Sequence, residues 1–269
     1  MKKQREPIVL LILDGWGIAP PGPGNAVTLA RPEVFQSLWK KYPHAKLRAS
    51  GSAVGLPPRQ NGNSEAGHLN IGAGRVVEQD AVRINKLIDD GTFFRNSSLL
   101  QAVQRAQHGG GNLHLIGLLT ADQSGHAFPK HLYALLRLAR ERGNVPTYLH
   151  LFTDGRDTSP YAAMELLAKV RKHLGKNQHI ATIIGRLFLD RAKRWYRTEA
   201  AYNALVLGTG RTASTAEGAV MAAYKRGQSD EFIDPTIIGA SATERRNSRV
   251  RNSDAAILFH LRRCRDQRS

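Results

Sequence analysis

Residues able to do chemistry gather in three places along the 269-residue chain. Asp14 closes an apolar run at residues 8–13 and is followed by Gly15-Trp16-Gly17. A carboxylate at the carboxyl end of a strand in an open α/β sheet is placed to hold a metal or to act as a base. A turn-initiating aspartate is the plainer alternative. Ser64 sits in Asn63-Ser64-Glu65-Ala66-Gly67-His68, after a Gly/Asn loop and before a helical stretch. Backbone N–H groups at such a helix start favour an oxyanion or a phosphate, although the same pattern describes an ordinary N-cap. A serine hydroxyl is a weak nucleophile at neutral pH and needs a neighbouring base or a metal. Asp14 is a candidate partner, but zinc or manganese takes about four to six ligands, and two do not make a site. Asp122-x-x-x-His126 is the other tempting pair, and Gly125 within its spacer argues against a shared helix face.

The third group is cationic. Thr153-Asp154-Gly155-Arg156-Asp157-Thr158 leaves an apolar run, Gly185-Arg186 ends the next one, and Asp190-Arg191 follows soon after. Forked guanidinium donors suit carboxylate and phosphate. Each arginine alone reads as a surface residue, whereas three at successive strand ends suit a small anionic substrate.

The elements that must position these residues alternate. Short apolar runs at residues 8–13, 113–119, 147–152, 180–184 and 255–259 read as strands, and helical periodicity appears at 32–41, 80–89, 98–108, 131–142, 160–174, 198–207 and 215–226. That alternation predicts α/β layers around a mainly parallel sheet. Residues 51–74 are dense in Gly, Pro and Asn, and a strand and helix alternation resumes after them, so a domain boundary is expected near residue 78.

Composition narrows the functional classes. A chain of this length that is 41% hydrophobic and 23% charged supports one large or two ordinary cores and excludes disorder. No stretch approaches the roughly 18 apolar residues of a membrane helix, so no membrane association is expected. The apolar run after Lys2, Lys3 and Arg5 stops at Asp14, short of a secretory signal. A single cysteine, Cys264, cannot form an internal disulfide, which fits a reducing cytoplasm. The net charge of +17 raises nucleic acid as a partner. It is not expected here, because the basic residues are dispersed and no helix-turn-helix, zinc finger or aromatic RNA platform is visible. Residues 244–269 carry eight arginines against Glu244, Asp254 and Asp266 and read as a solvated, poorly ordered basic tail.

The motifs together resemble cofactor-independent phosphoglycerate mutase. The resemblance rests on Gly62-Asn63-Ser64-Glu65 with Gly67-His68-Leu69-Asn70-Ile71-Gly72-Ala73-Gly74-Arg75, on Ala49-Ser50-Gly51 with Val54-Gly55-Leu56-Pro57, and on Asp154-Gly155-Arg156-Asp157-Thr158. Lys193-Arg194-Trp195, Ala201-Tyr202-Asn203 and Asp230-Glu231-Phe232-Ile233 extend it across about residues 7–235. It implies a partial alkaline-phosphatase-like lobe at 1–78, an α/β transferase domain at 79–243 and a basic, degenerate segment at 244–269. It also implies two manganese ions with Asp14 and Ser64 among their ligands, and Ser64 as the phosphoacceptor of a phosphoserine intermediate. His126, Arg156, Asp157, Arg186, Arg191, Arg262 and Arg265 would then bind 2- or 3-phosphoglycerate, with Asp157 as acid/base toward the glycerate hydroxyls.

This chain departs from the family pattern at several points. The family's Asp-Gly-Gly-Val-His-Ser-His loop is Asp122-Gln123-Ser124-Gly125-His126-Ala127-Phe128 here. The interval from Arg186 to Arg191 is one residue shorter, and Tyr196 stands in place of an Asp. The family's Phe-Arg-Pro-Asp-Arg becomes Leu261-Arg262-Arg263-Cys264-Arg265. The motifs of the second phosphatase half, with its Asp and His ligands and a lysine, do not occur. An incomplete metal site, an unpaired sheet edge beside residues 8–13 and an exposed apolar face are therefore expected. So is an isolated chain that does not turn over, the alternative being a catalytically dead phosphoglycerate-binding module.

Overall fold

The computed structural model describes residues 7–190 and 192–261. In chain order the helices are α1 (Ala26–Leu29), α2 (Glu33–Lys41), α3 (Ser64–Ala73), α4 (Asp80–Asp89), α5 (Ser97–His108), α6 (Pro129–Glu141), α7 (Ala163–Arg171), α8 (Trp195–Tyr202), α9 (Ala216–Lys225) and α10 (Ala242–Asn247). The strands are β1 (Leu113–Leu119), β2 (Thr147–Thr153), β3 (Gln178–Gly185), β4 (Arg211–Ala213), β5 (Thr236–Ile238) and β6 (Ala255–Phe259). They form one mostly parallel sheet in the order β4-β5-β3-β2-β1-β6, with β5 antiparallel to β3 and β4 parallel to β5.

β1, β2 and β3 follow from their apolar runs, because a parallel strand buried on both faces reads as nearly continuous hydrophobic sequence; β6 carries the same signal at the sheet edge, where Leu258 stays 66% exposed. Leu113, Leu115, Leu119, Leu149, Leu151 and Ile183 share one cluster with buried residues of α5, α6, α7 and α9. The alternate positions Leu118, Phe152 and Ile184 pack with Ala201 of α8 and with Ala204. β4 and β5 are three residues each, too short to carry a hydrophobic period.

Two sequence expectations need correction. Residues 8–13 are not a strand: among the described residues no strand lies beside them, and their backbone groups have no ladder to join. The apolar character that suggests a strand is left in the open, with Ile8 98% and Leu11 78% exposed, so the exposed apolar residues are present but the expected unpaired sheet edge is not, because no strand forms there. The basic segment at 244–269 is not a detached tail as far as Leu261. It supplies α10, then β6, which pairs in parallel with residues 113–117. Asp254 anchors it, accepting the N–H groups of Asn112 at 2.8 Å and Arg251 at 2.7 Å from a buried position. Arg262 and Arg265 lie outside the described residues, as does Arg191. Among the described residues no helix is long and apolar enough to cross a membrane.

The same Asp254 begins a buried polar row across the sheet. Its Oδ2 lies 3.0 Å from His114 Nε2, His114 Nδ1 lies 2.9 Å from His150 Nε2, and His150 Nδ1 lies 3.1 Å from Thr182 Oγ1. A carboxylate only accepts, so the hydrogens run in one direction: Thr182 to His150, His150 to His114, His114 to Asp254. Both imidazoles are then neutral. Burial pushes His114 down despite the opposing pull of Asp254, and holds His150 at about 3 and His131 of α6 at about 4.

Unfolded histidines protonate near 6.5 while these folded ones do not. Their contribution is fully present above about pH 6.5 and is lost as pH falls toward the folded values. The urea midpoint is expected to hold from pH 8 to 7 and to drop steeply from 6.5 to 4.5, with His131→Gln flattening the drop. A midpoint level across that window contradicts this account.

Candidate active site

The carboxyl ends of β1, β2 and β3 deliver the second and third residue groups to one edge of the sheet, where ligands collect in open α/β folds. β2 runs into Asp154, which is buried and gathers four donors. Thr120, just beyond β1, gives its hydroxyl to Oδ2, and Arg186, just beyond β3, pairs with Oδ1. The N–H groups of Arg156 and Asp157 donate to the same Oδ1, each at 3.2 Å. Gly155 takes φ +67°, and a Cβ there would stand 2.6 Å from the Glu231 backbone nitrogen, so the turn admits only glycine. Asp230 completes the support by accepting the N–H groups of Ala162 and Ala163, each at 2.9 Å, at the start of α7.

Asp157 is half-buried beside this cluster. It accepts the Ser124 hydroxyl at 2.7 Å, lies 3.1 Å from Arg186 Nη1 and 3.9 Å from His126 Nε2. Burial pushes its carboxyl up, but the Ser124 hydrogen bond and the Arg186 charge outweigh burial and hold it below the usual carboxylate range. The His126 ring stacks on His260 at 5.5 Å, and the Leu261 N–H donates to the His126 carbonyl at 2.7 Å. Arg156 is the exposed cation of the group, with Nε 3.7 Å from Glu231 Oε1 and its side chain 54% exposed.

The opposite wall comes from the N-terminal segment. Asn63, not Ser64, is the N-cap of α3, accepting the Ala66 N–H at 2.9 Å. Ser64 is the first helical residue, and its exposed hydroxyl is free to donate to Asp14 Oδ2 at 2.6 Å, across fifty residues of chain. Gly62 is required on the approach, because a Cβ would come within 1.8 Å of the Ala49 carbonyl oxygen. Asn70 fastens the helix by donating to the Val54 carbonyl at 3.0 Å and accepting the Val77 N–H at 2.8 Å.

A cleft of about 540 Å³ joins the two walls, lined by Asn63, Ser64 and Glu65 on one side and by His126, Arg156 and Asp157 on the other. Ser64, His126, Arg156 and Asp157 are thus brought together as their residue types suggest. Arg186 is not on this lining; it stands behind the wall, 9% exposed, with Nη1 between Asp154 and Asp157. Thr120, Ser124, Asp154 and Gln60 belong to the site but carry no sequence signal beyond the Asp-Gly turn at 154–155. Asp14 and Ser64 offer two oxygen donors, and among the described residues no group of three or more His, Cys, Asp or Glu is placed to hold a metal ion. These donors alone do not fit a manganese centre, which takes about four to six ligands.

Comparison with known proteins is consistent along the whole chain. A family model described as "BPG-independent PGAM N-terminus" matches residues 84–268. The chain belongs to the BPG-independent phosphoglycerate mutase family. The 2,3-bisphosphoglycerate-independent phosphoglycerate mutase of Clostridium beijerinckii is 46% identical over 261 residues, covering 96% of this chain and 50% of the relative. That of Moorella thermoacetica is 47% identical over 262 residues, with 95% and 50% covered. A crystal structure of Leishmania mexicana phosphoglycerate mutase at low cobalt concentration superposes with a TM-score of 0.81 at 29% identity, over 93% of this chain and 48% of that one. The chain spans about half the length of the phosphoglycerate mutases it matches. The family match runs through α10 and β6, in keeping with their place in the sheet.

The buried Arg186–Asp154 pair sets the energetics of this edge. Removing one partner of a buried pair leaves an uncompensated charge, so Asp154→Ala is expected to cost about 3–5 kcal/mol in urea unfolding. Arg156→Ala, at an exposed position, is expected to change stability by no more than about 0.5 kcal/mol. Equal costs for the two variants would show that the strand ends are not held by Asp154.

Proposed function

We propose that this chain carries the phosphoacceptor and the glycerate-binding wall of a phosphoglycerate mutase, acting between 3- and 2-phosphoglycerate in glycolysis by way of a phosphoserine. The observation that supports it is the cleft in which the Ser64 hydroxyl, oriented by Asp14, faces His126, Arg156 and Asp157. On this reading Arg156 and His126 hold the phosphoglycerate anion. Ser64 Oγ bonds to phosphorus as the bond from phosphorus to the glycerate oxygen breaks; the seryl proton goes to Asp14 Oδ2 and the departing glycerate oxygen takes a proton from water. In the return step the other glycerate hydroxyl attacks the phosphoserine and gives its proton to the Asp157 carboxylate, which passes it to water, while the bond from phosphorus to Ser64 Oγ breaks and Oγ recovers the proton held on Asp14. Arg186 contributes by holding Asp157 rather than by touching the substrate.

Manganese belongs to the same proposal. Asp14 and Ser64 would fill two positions of an alkaline-phosphatase-like centre in the lobe at residues 1–78, and no chemical step above is assigned to the ion. Arg191, Arg262 and Arg265 are proposed as further anion ligands, and a single cysteine in the sequence supports a cytoplasmic setting.

Two measurements test this. Calorimetric titration with 3-phosphoglycerate is expected to show binding that Arg156→Ala weakens at least about tenfold, a loss of ~1.4 kcal/mol or more. Phosphoryl transfer draws most of its acceleration from charge placed around the phosphoryl group, and few such charges line this cleft. The purified chain with manganese is therefore expected to give no conversion of 3- to 2-phosphoglycerate. Conversion that depends on Ser64 would overturn the expectation of inactivity, and absence of binding would overturn the assignment of the cleft.

A further inference from the structure

Ser124 is fully buried, and its hydroxyl is engaged twice. It accepts the His126 N–H at 3.1 Å and donates to Asp157 Oδ2 at 2.7 Å. With an amide proton occupying one lone pair, the hydroxyl hydrogen is directed at the carboxylate. The Ser124 carbonyl is engaged as well, accepting Gln60 Nε2 at 2.6 Å. Gln60 is 2% exposed and lies four residues ahead of Ser64, on the opposite wall of the cleft. A single buried residue thus touches Asp157, the His126 loop and the segment that carries the phosphoacceptor.

The contacts on Asp157 are also one-sided. Ser124 Oγ, Arg186 Nη1 and His126 Nε2 all approach Oδ2. Among the described residues, the Arg186 guanidinium and the titratable His126 ring face the carboxylate directly, Asp154 stands behind Arg186, and Arg156 and Glu65 line the same cleft.

We propose that Ser124 is a positioning residue: its hydroxyl clamps Asp157 Oδ2 so that Oδ1 is presented to the cleft, and its carbonyl, through Gln60, sets this wall against the Ser64 segment. The clamp itself is independent of the ligand, while the identity of the group that meets Oδ1 rests on the phosphoglycerate reading above. A hydrogen bond from a hydroxyl to a carboxylate favours the charged form, so its removal leaves burial less opposed.

The test is carbon-13 NMR titration of the Asp157 carboxyl in the full chain and in Ser124→Ala, Ser124→Gly and Ser124→Thr, beside calorimetry with 3-phosphoglycerate. The Asp157 midpoint is expected to move up in the Ala and Gly variants and to return to the parent value in Ser124→Thr, which keeps the hydroxyl. Affinity for 3-phosphoglycerate is expected to fall about three- to tenfold in the Ala and Gly variants and to recover in the Thr variant. Should Ser124→Ala fail to fold, Ser124→Gly decides, since it removes the hydroxyl with no new side chain to place. A midpoint unmoved in Ser124→Gly, or displaced equally in Ser124→Thr, overturns the clamp. A midpoint that moves as stated while the parent chain binds no 3-phosphoglycerate upholds the clamp and removes the phosphoglycerate reading.

Discussion

A buried carboxylate that must be compensated governs the architecture of this protein. Asp154 is out of contact with water at the end of β2, where an unpaired charge would be costly. Its compensation comes from the residue after β1, the residue after β3 and the backbone of its own turn. Three strand ends are thus held to one point, and the turn they form aims Arg156 and Asp157 outward. The interaction is of limited value as a source of stability, because desolvation offsets most of the attraction in such pairs. Its effect is geometric. The guanidinium that neutralises Asp154 also reaches Asp157, so a cation fixed from behind joins the Ser124 hydroxyl in holding that carboxyl below the usual range.

The two walls of the cleft differ in how they are held. The wall bearing His126, Arg156 and Asp157 stands on a sheet with helices packed on it and a large buried core. The wall bearing Asp14 and Ser64 rests on a small cluster of Val54, Leu56 and Ala66, on hydrogen bonds around Asn70, and on the bond from Gln60 to Ser124. Few apolar contacts and an exposed run at residues 8–13 mark it as the less stable unit. The Ser64 hydroxyl therefore stands on the softer side and the Asp157 carboxylate and Arg156 cation on the stiffer one.

Much of the fold was legible from residue pattern because its central strands β1, β2 and β3 are buried on both faces. The runs that became β1, β2, β3 and β6 announce themselves by unbroken hydrophobicity, and the helices by their period. The run at residues 8–13 carries the same signal and is not a strand, since pattern reports what a segment would bury and not whether a neighbour is present. The pairing of Asp14 with Ser64 was reachable through chemistry and family resemblance. The placement of Arg186 was not, because composition cannot distinguish an arginine aimed at a ligand from one held by two carboxylates behind the wall. Ser124, Thr120 and Gln60 were equally silent. Their partners lie 33, 34 and 64 residues away, and a polar side chain satisfied at that distance leaves no local trace.

The polar row across the sheet bears on the order in which the molecule can be completed during synthesis. His114 reaches Asp254 across 140 positions, and β6 is the outer neighbour of β1. At ribosomal rates of roughly 5–20 residues per second, β1 waits on the order of ten seconds for that partner. Until then the outer edge of β1 has no neighbour in the nascent chain, and His114, already able to meet His150, still lacks its carboxylate.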